Sequence, residues 1–206
     1  MLSEKFSITR TLILLTVVFL VFNFDNAQSQ KSESESVIDS DLNFEEAVAG
    51  ISVPDGTIEN LRIVDIYYYG FDDKLHKGQL VVHKDVVLDI IEIFEFIRES
   101  HFPVEKVIPI SQYNWSDEKS MKDNNTSAFN YRFISGTRVI SNHASGLAID
   151  INPRLNPYIK NGSSLPANCI YDTTKTGTIS ASSQLVNEFK QRGWQWGGDW
   201  KSLKDY

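Results

Sequence analysis

Cysteine is nearly absent from this chain. Cys169 is the only one in 206 residues, so no internal disulfide can form and the fold must rest on a packed core, with or without a metal to tie it. Cys169 lies in a Ser/Asn/Thr-rich stretch with no histidine near it in sequence, a poor setting for a catalytic thiolate. Basic runs are missing too. A net charge of −7 without any Lys/Arg cluster speaks against nucleic acid as a partner. No internal repeat runs along the chain, which excludes a solenoid. Long apolar runs are limited to one, Thr11 to Phe22, about a dozen residues, which suits a signal sequence and is short for a membrane span.

That run has the flanks of an export signal. Lys5 and Arg10 precede it, and Ala27 and Ser29 are small residues spaced for cleavage after Ser29. Residues 1–29 are therefore expected to be a signal peptide, with an uncleaved N-terminal anchor as the alternative. No cysteine near the cleavage region supports a lipid anchor. The expected location is outside the cytoplasm, periplasmic or extracellular, with no stable membrane span once the signal is removed.

The remainder reads as one globular domain, with 41% hydrophobic and 12% aromatic residues. Residues 30–48 are rich in Ser, Asp and Glu and are expected to be a disordered acidic spacer. The domain then spans 49–206. Alternation predicts strands over 61–69 and 78–83, and a further strand over 107–113. Apolar residues at helical spacing predict a helix over 86–100, with Asp85 as its cap and Pro103 beyond its end. Residues 121–138 look loop-like, 147–152 like a strand, and 153–180 like a long loop. A helix over 184–191, capped by Ser182 or Ser183 and closed by Gly193, completes the pattern. Strands and helices without regular βαβ alternation predict a single α+β domain.

The most informative stretch is Ser141-Asn-His-Ala-Ser-Gly-Leu-Ala-Ile-Asp150. His143 and Asp150 lie on either side of Gly146, so His143 is able to fold back toward Asp150. An imidazole and a carboxylate are two of the ligands a catalytic zinc needs. Small Ala148 lets another group approach Asp150 closely. By itself the spacing is also that of an ordinary Asp bonded to backbone amides beside a turn.

Four blocks in order carry a stronger signal: Gly78–His83 (GQLVVH), Thr126–Arg132 (TSAFNYR), Ser141–Asp150 followed by Asn152-Pro153 and Asn156-Pro157-Tyr158, and Gly193–Trp200 (GWQWGGDW). From about residue 50 to 206 the chain resembles the VanY-type D-alanyl-D-alanine carboxypeptidases and peptidoglycan L-alanyl-D-glutamate endopeptidases, which are bacterial zinc peptidases. The resemblance implies a small α+β domain of the Hedgehog/DD-peptidase kind, with a central antiparallel sheet flanked by helices. It implies Zn2+ held by His143 and Asp150, Asp205 as general base, and Arg132 as partner of the oxyanion or of a substrate carboxylate. Ser127 and Asn130 are implied to bind the peptide. The implied protein is a cell-wall-associated monomer that acts on peptidoglycan stem peptides.

The family pattern continues with a second zinc histidine three residues after the acidic one, which falls at position 208. The sequence reads to Tyr206. Three protein ligands are usual for a catalytic zinc, so the expectation is a fragment of a longer reading frame. The alternative is a truncated, inactive wall-binding homologue. His76, His83 and His101 are the other histidines able in principle to complete the set.

Overall fold

The alternating strand at residues 61–69 forms as expected and builds the frame of the domain. The structure, a computed structural model, describes residues 36–134 and 137–206. The expected signal peptide lies outside the described residues. Strand β2 (Leu61–Tyr69) pairs antiparallel along its whole length with β3 (Leu75–His83), from Leu61 opposite His83 to Tyr69 opposite Leu75. β1 (Val37–Ile38) adds a short parallel edge to β3, so the largest sheet is mixed, in the order β1-β3-β2, where an antiparallel one was expected.

One face of this sheet takes helix α2 (Val87–Glu99). Val64, Ile66, Tyr68, Leu80 and Val82 from the strands meet Ile90, Ile93, Phe94 and Ile97 from the helix in the main core. Burying each of these isoleucines contributes about 1.5–3 kcal/mol. The opposite face carries a smaller cluster of Ala47, Leu61, Val81 and Phe129. β3 is buried for most of its length, and Gly78 lets β4 (Lys106–Val107) press against it. A Cβ there would sit 2.3 Å from the Val107 carbonyl oxygen.

Several sequence expectations need correction. The expected spacer, residues 30–48, is ordered over its described second part. β1 joins the sheet, Ser40 donates to the Gln79 side chain at 2.8 Å, and Asn43 and Glu46 form a reciprocal capping box on α1 (Phe44–Ala47). Polar composition concealed a segment held by specific hydrogen bonds. Asp85 does not cap α2. A 3₁₀ turn over Lys84–Val86 comes first, and His83 Nδ1 accepts the Asp85 N–H at 3.2 Å. The strand expected over 107–113 is only β4 (Lys106–Val107), parallel to β5 (Asn125–Thr126). Pro109 cannot donate to a ladder, and a 3₁₀ turn follows over Ile110–Tyr113. The loop-like stretch from 121 contains β5 and the end of α3 (Asp117–Lys122). The expected long loop holds a hairpin of β6 (Tyr158–Lys160) and β7 (Ser163–Leu165). Helix α4 (Gln184–Gln191) forms as read, with Ser183 Oγ accepting from Val186 N–H and Gly193 left-handed at φ 85°. The last strand, β8 (Lys204–Asp205), pairs with β6.

Overall the domain is α+β, with helices against short sheets. No helix among the described residues is long and apolar enough to cross a membrane.

Candidate active site

Local sequence sets the position of His143. Ser141 Oγ accepts the His143 N–H at 3.3 Å and starts a 3₁₀ turn over Asn142–Ser145. Gly146 ends that turn at φ 68°, a conformation that suits glycine. A side chain there would also strike β3, with a Cβ 2.6 Å from the His83 nitrogen. The Gly146 carbonyl accepts from His83 N–H at 3.0 Å, so the turn is docked on the end of the sheet. This explains the Ser-x-His-x-x-Gly spacing.

Asp150 was expected on a strand over 147–152. That strand does not form. Asp150 makes one isolated bridge with Ser127, by N–H to carbonyl bonds of 3.1 and 2.9 Å. Asn152 then turns left-handed at φ 47° and buries its side chain completely. Its Oδ1 accepts from Glu105 N–H, and its Nδ2 donates to the carbonyls of Pro103 and Gly177.

The two side chains converge. His143 Nε2 lies 3.4 Å from Asp150 Oδ1. His143 Nδ1 is 2.6 Å from the Ala128 carbonyl, which can only accept, so Nδ1 carries a proton. Nε2 is left facing a carboxylate. Two lone pairs at that distance need a cation between them, either a proton or a metal. Burial works to lower the His143 pKa, but the Asp150 charge and hydrogen bond override it and the net shift is upward. Asp150 shifts downward, because the His143 charge outweighs its own burial.

Asp205 reaches the same point from the other end of the chain. β8 places it opposite Tyr158 on β6, which gives the Asn-Pro-Tyr block a role in positioning. Gly197 permits the approach, since a Cβ there would sit 2.5 Å from the Asp205 Cβ. Burial, followed by the nearby Asp150 charge, raises the Asp205 pKa to about 7. The three side chains line one cavity of about 410 Å³ whose wall includes Trp194, Trp196 and Trp200.

Arg132 flanks this group. Its charge acts to lower the pKa of His143, Asp150 and Asp205. Its Nε lies 3.2 Å from Asp117 Oδ2, although its N–H is not aligned for a hydrogen bond. Ser127 and Asn130 are buried behind the site and are not part of the cavity wall. Asn130 donates from Nδ2 to Asp117 Oδ1 at 3.1 Å, and from its backbone N–H to the His143 carbonyl at 3.0 Å. The other histidines are engaged elsewhere. His76 bridges Asp39 and Asp72, His83 holds the Asp85 amide, and His101 stacks on Tyr69. Among the described residues no group of three His, Cys, Asp or Glu side chains is arranged to hold a metal ion.

The donor chemistry still fits zinc at His143 and Asp150. The imidazole tautomer is fixed by a carbonyl behind it, as is common for metal-bound histidines, and its free nitrogen faces the carboxylate. Sequence reading missed Asp117, which sits in a short polar stretch without periodicity, and named Asn152 within a motif without what it holds.

A histidine and two carboxylates meet at one cavity of an α+β domain, with the Arg132 charge nearby. Residues 135–206 match a family model described as D-alanyl-D-alanine carboxypeptidase. No curated protein and no solved structure matches the chain.

Proposed function

We propose that the chain is an exported, zinc-dependent peptidase that cleaves peptidoglycan stem peptides, at either the terminal D-Ala-D-Ala bond or the internal L-Ala-D-Glu bond. The observation that carries this reading is the meeting of His143, Asp150 and Asp205 at one cavity, in a segment that matches the peptidase family. His143 and Asp150 would hold the metal. Bound zinc supplies Lewis acidity toward the scissile carbonyl and a lowered pKa for a water molecule.

The protein's own residues account for the remaining steps. Asp205, lifted to about 7 by burial and by Asp150, is poised near neutrality to take a proton from the attacking water and deliver it to the leaving amine. Arg132 supplies a fixed positive charge for the oxyanion or for a substrate carboxylate. Ser127 and Asn130, proposed as peptide contacts, act from behind the cavity wall by fixing the backbone at Asp150 and His143. The tryptophans exclude water from one side of the cavity.

The test is digestion of purified sacculi with zinc present, followed by mass spectrometry of the soluble products. Released D-alanine supports the carboxypeptidase form, and new L-Ala carboxyl ends support the endopeptidase form. Tight binding to sacculi without release of either product would favour the non-catalytic wall-binding alternative.

A further inference from the structure

Asp117 divides its two carboxylate oxygens between two parts of the site. Oδ1 accepts from Asn130 Nδ2 at 3.1 Å, while Oδ2 lies 3.2 Å from Arg132 Nε. Two backbone bonds continue from these partners. Asn130 N–H donates to the His143 carbonyl at 3.0 Å, and Ser141 N–H donates to the Arg132 carbonyl at 3.0 Å. Residues 130–132 and 141–143 are thus clamped together, and the side chain behind the clamp is Asp117.

The charge arrangement calls for such a residue. Arg132 Nε is buried and has no hydrogen-bond partner, so the Asp117 charge is what compensates it there. The side chains of both partners are less than one-third exposed, so the pair is poorly screened by solvent. Ser116, the residue before Asp117, caps the start of α3 through its own side chain, which frees the Asp117 carboxylate to point at Arg132 and Asn130.

We propose that Asp117 is a positioning residue of the active site: its carboxylate fixes the Arg132 guanidinium by charge and, through Asn130, the backbone that carries His143. The proposal rests on the reading of Arg132 as partner of the oxyanion or substrate carboxylate. Asp117 itself touches no substrate.

The experiment compares wild-type protein with Asp117→Asn and Asp117→Glu. The amide in Asp117→Asn retains an oxygen for Asn130 and removes the charge from Arg132. Three readouts are needed: the solvent-exchange rate of the Arg132 Nε–H resonance by NMR, the melting temperature, and zinc-dependent stem-peptide hydrolysis. The expected result for Asp117→Asn is faster exchange at Arg132 with little change in melting. Its kcat should fall about tenfold, less than the ~10²–10³ expected for loss of an oxyanion donor itself, with KM nearly constant. Asp117→Glu should recover slow exchange and part of kcat. Unchanged Arg132 exchange in Asp117→Asn would overturn the proposal. If Asp117→Asn fails to fold, Asp117→Glu decides: slow exchange supports the charge clamp, and wild-type-like kcat with fast exchange refutes it. A wild type that responds at Arg132 but hydrolyses no stem peptide would sink the peptidase reading and leave the clamp standing.

Discussion

The β2–β3 hairpin and the segment from 124 to 156 are held by opposite means. The hairpin is a nine-residue ladder in continuous register, backed by isoleucines and valines. The segment that carries the site has one two-residue strand, a 3₁₀ turn and single bridges. Its backbone is satisfied by buried asparagines. Asn125 pairs with both the N–H and the carbonyl of Ile108. Asn152 ties residues 103, 105 and 177 together, and Asn156 links the carbonyls of Ile151 and Gly177 to the N–H of Ile179. A ladder repeats one interaction along a line and gives a flat surface. Point contacts allow the chain to turn sharply at each residue, as is needed to aim His143 and Asp150 at one spot.

The largest effect should come from the chemistry that this irregular segment aims. Asp205→Ala should abolish measurable hydrolysis, a loss of about 10²–10⁴ for the proton-transfer role alone, while zinc uptake persists because Asp205 is not proposed as a ligand. Steady-state kinetics beside metal analysis checks both halves. Retained activity would transfer the role to another group. Arg132→Ala should cost roughly 10²–10³ in rate, as for an oxyanion donor.

Stability variants sharpen the contrast between the two regions. Asn152→Ala leaves the Glu105 amide and the Pro103 carbonyl without their partner, at about 1–3 kcal/mol for each buried group, while the Gly177 carbonyl keeps Asn156 Nδ2. Ile66→Ala in the hairpin should cost a similar 2–5 kcal/mol, about the value for an aliphatic core truncation. The two should differ at the site. Asn152→Ala should shift the NMR signals of His143 and Asp150, and Ile66→Ala should leave them in place. Equal perturbation by both would erase the distinction drawn here.

The smallest effect concerns pH. In metal-free protein Asp205 has a folded pKa near 7, above its unfolded value. Its contribution to stability is therefore complete below about pH 4 and is lost as pH rises through 7. Asp205→Asn should be more stable than wild type at pH 8, with the advantage vanishing near pH 4. Urea unfolding at the two pH values checks the sign. Asp150, with its pKa lowered, runs the other way and stabilises above its unfolded pKa.

The contrast also explains what was legible in the sequence. The hairpin, α2 and α4 follow period-two or helical spacing, and Ser183 and Gly193 mark the ends of α4 by local chemistry. His143, Asp150 and Asp205 stood out through motif spacing. The strand over 147–152 was misread because apolar alternation there reflects packing beside a turn, while Asn152 breaks the backbone course at positive φ. The order in residues 37–48 was hidden because Gln79, far along the chain, supplies its partners. Asp117 gave no signal, since a carboxylate in a short polar helix has no periodic signature.

The central claim is that His143 and Asp150 hold a zinc beside Asp205. Calorimetric zinc titration tests it most directly. The account predicts zinc binding by the wild-type protein that is lost in His143→Ala and in Asp150→Asn. Zinc binding of equal strength in wild type and in both of those variants would contradict it.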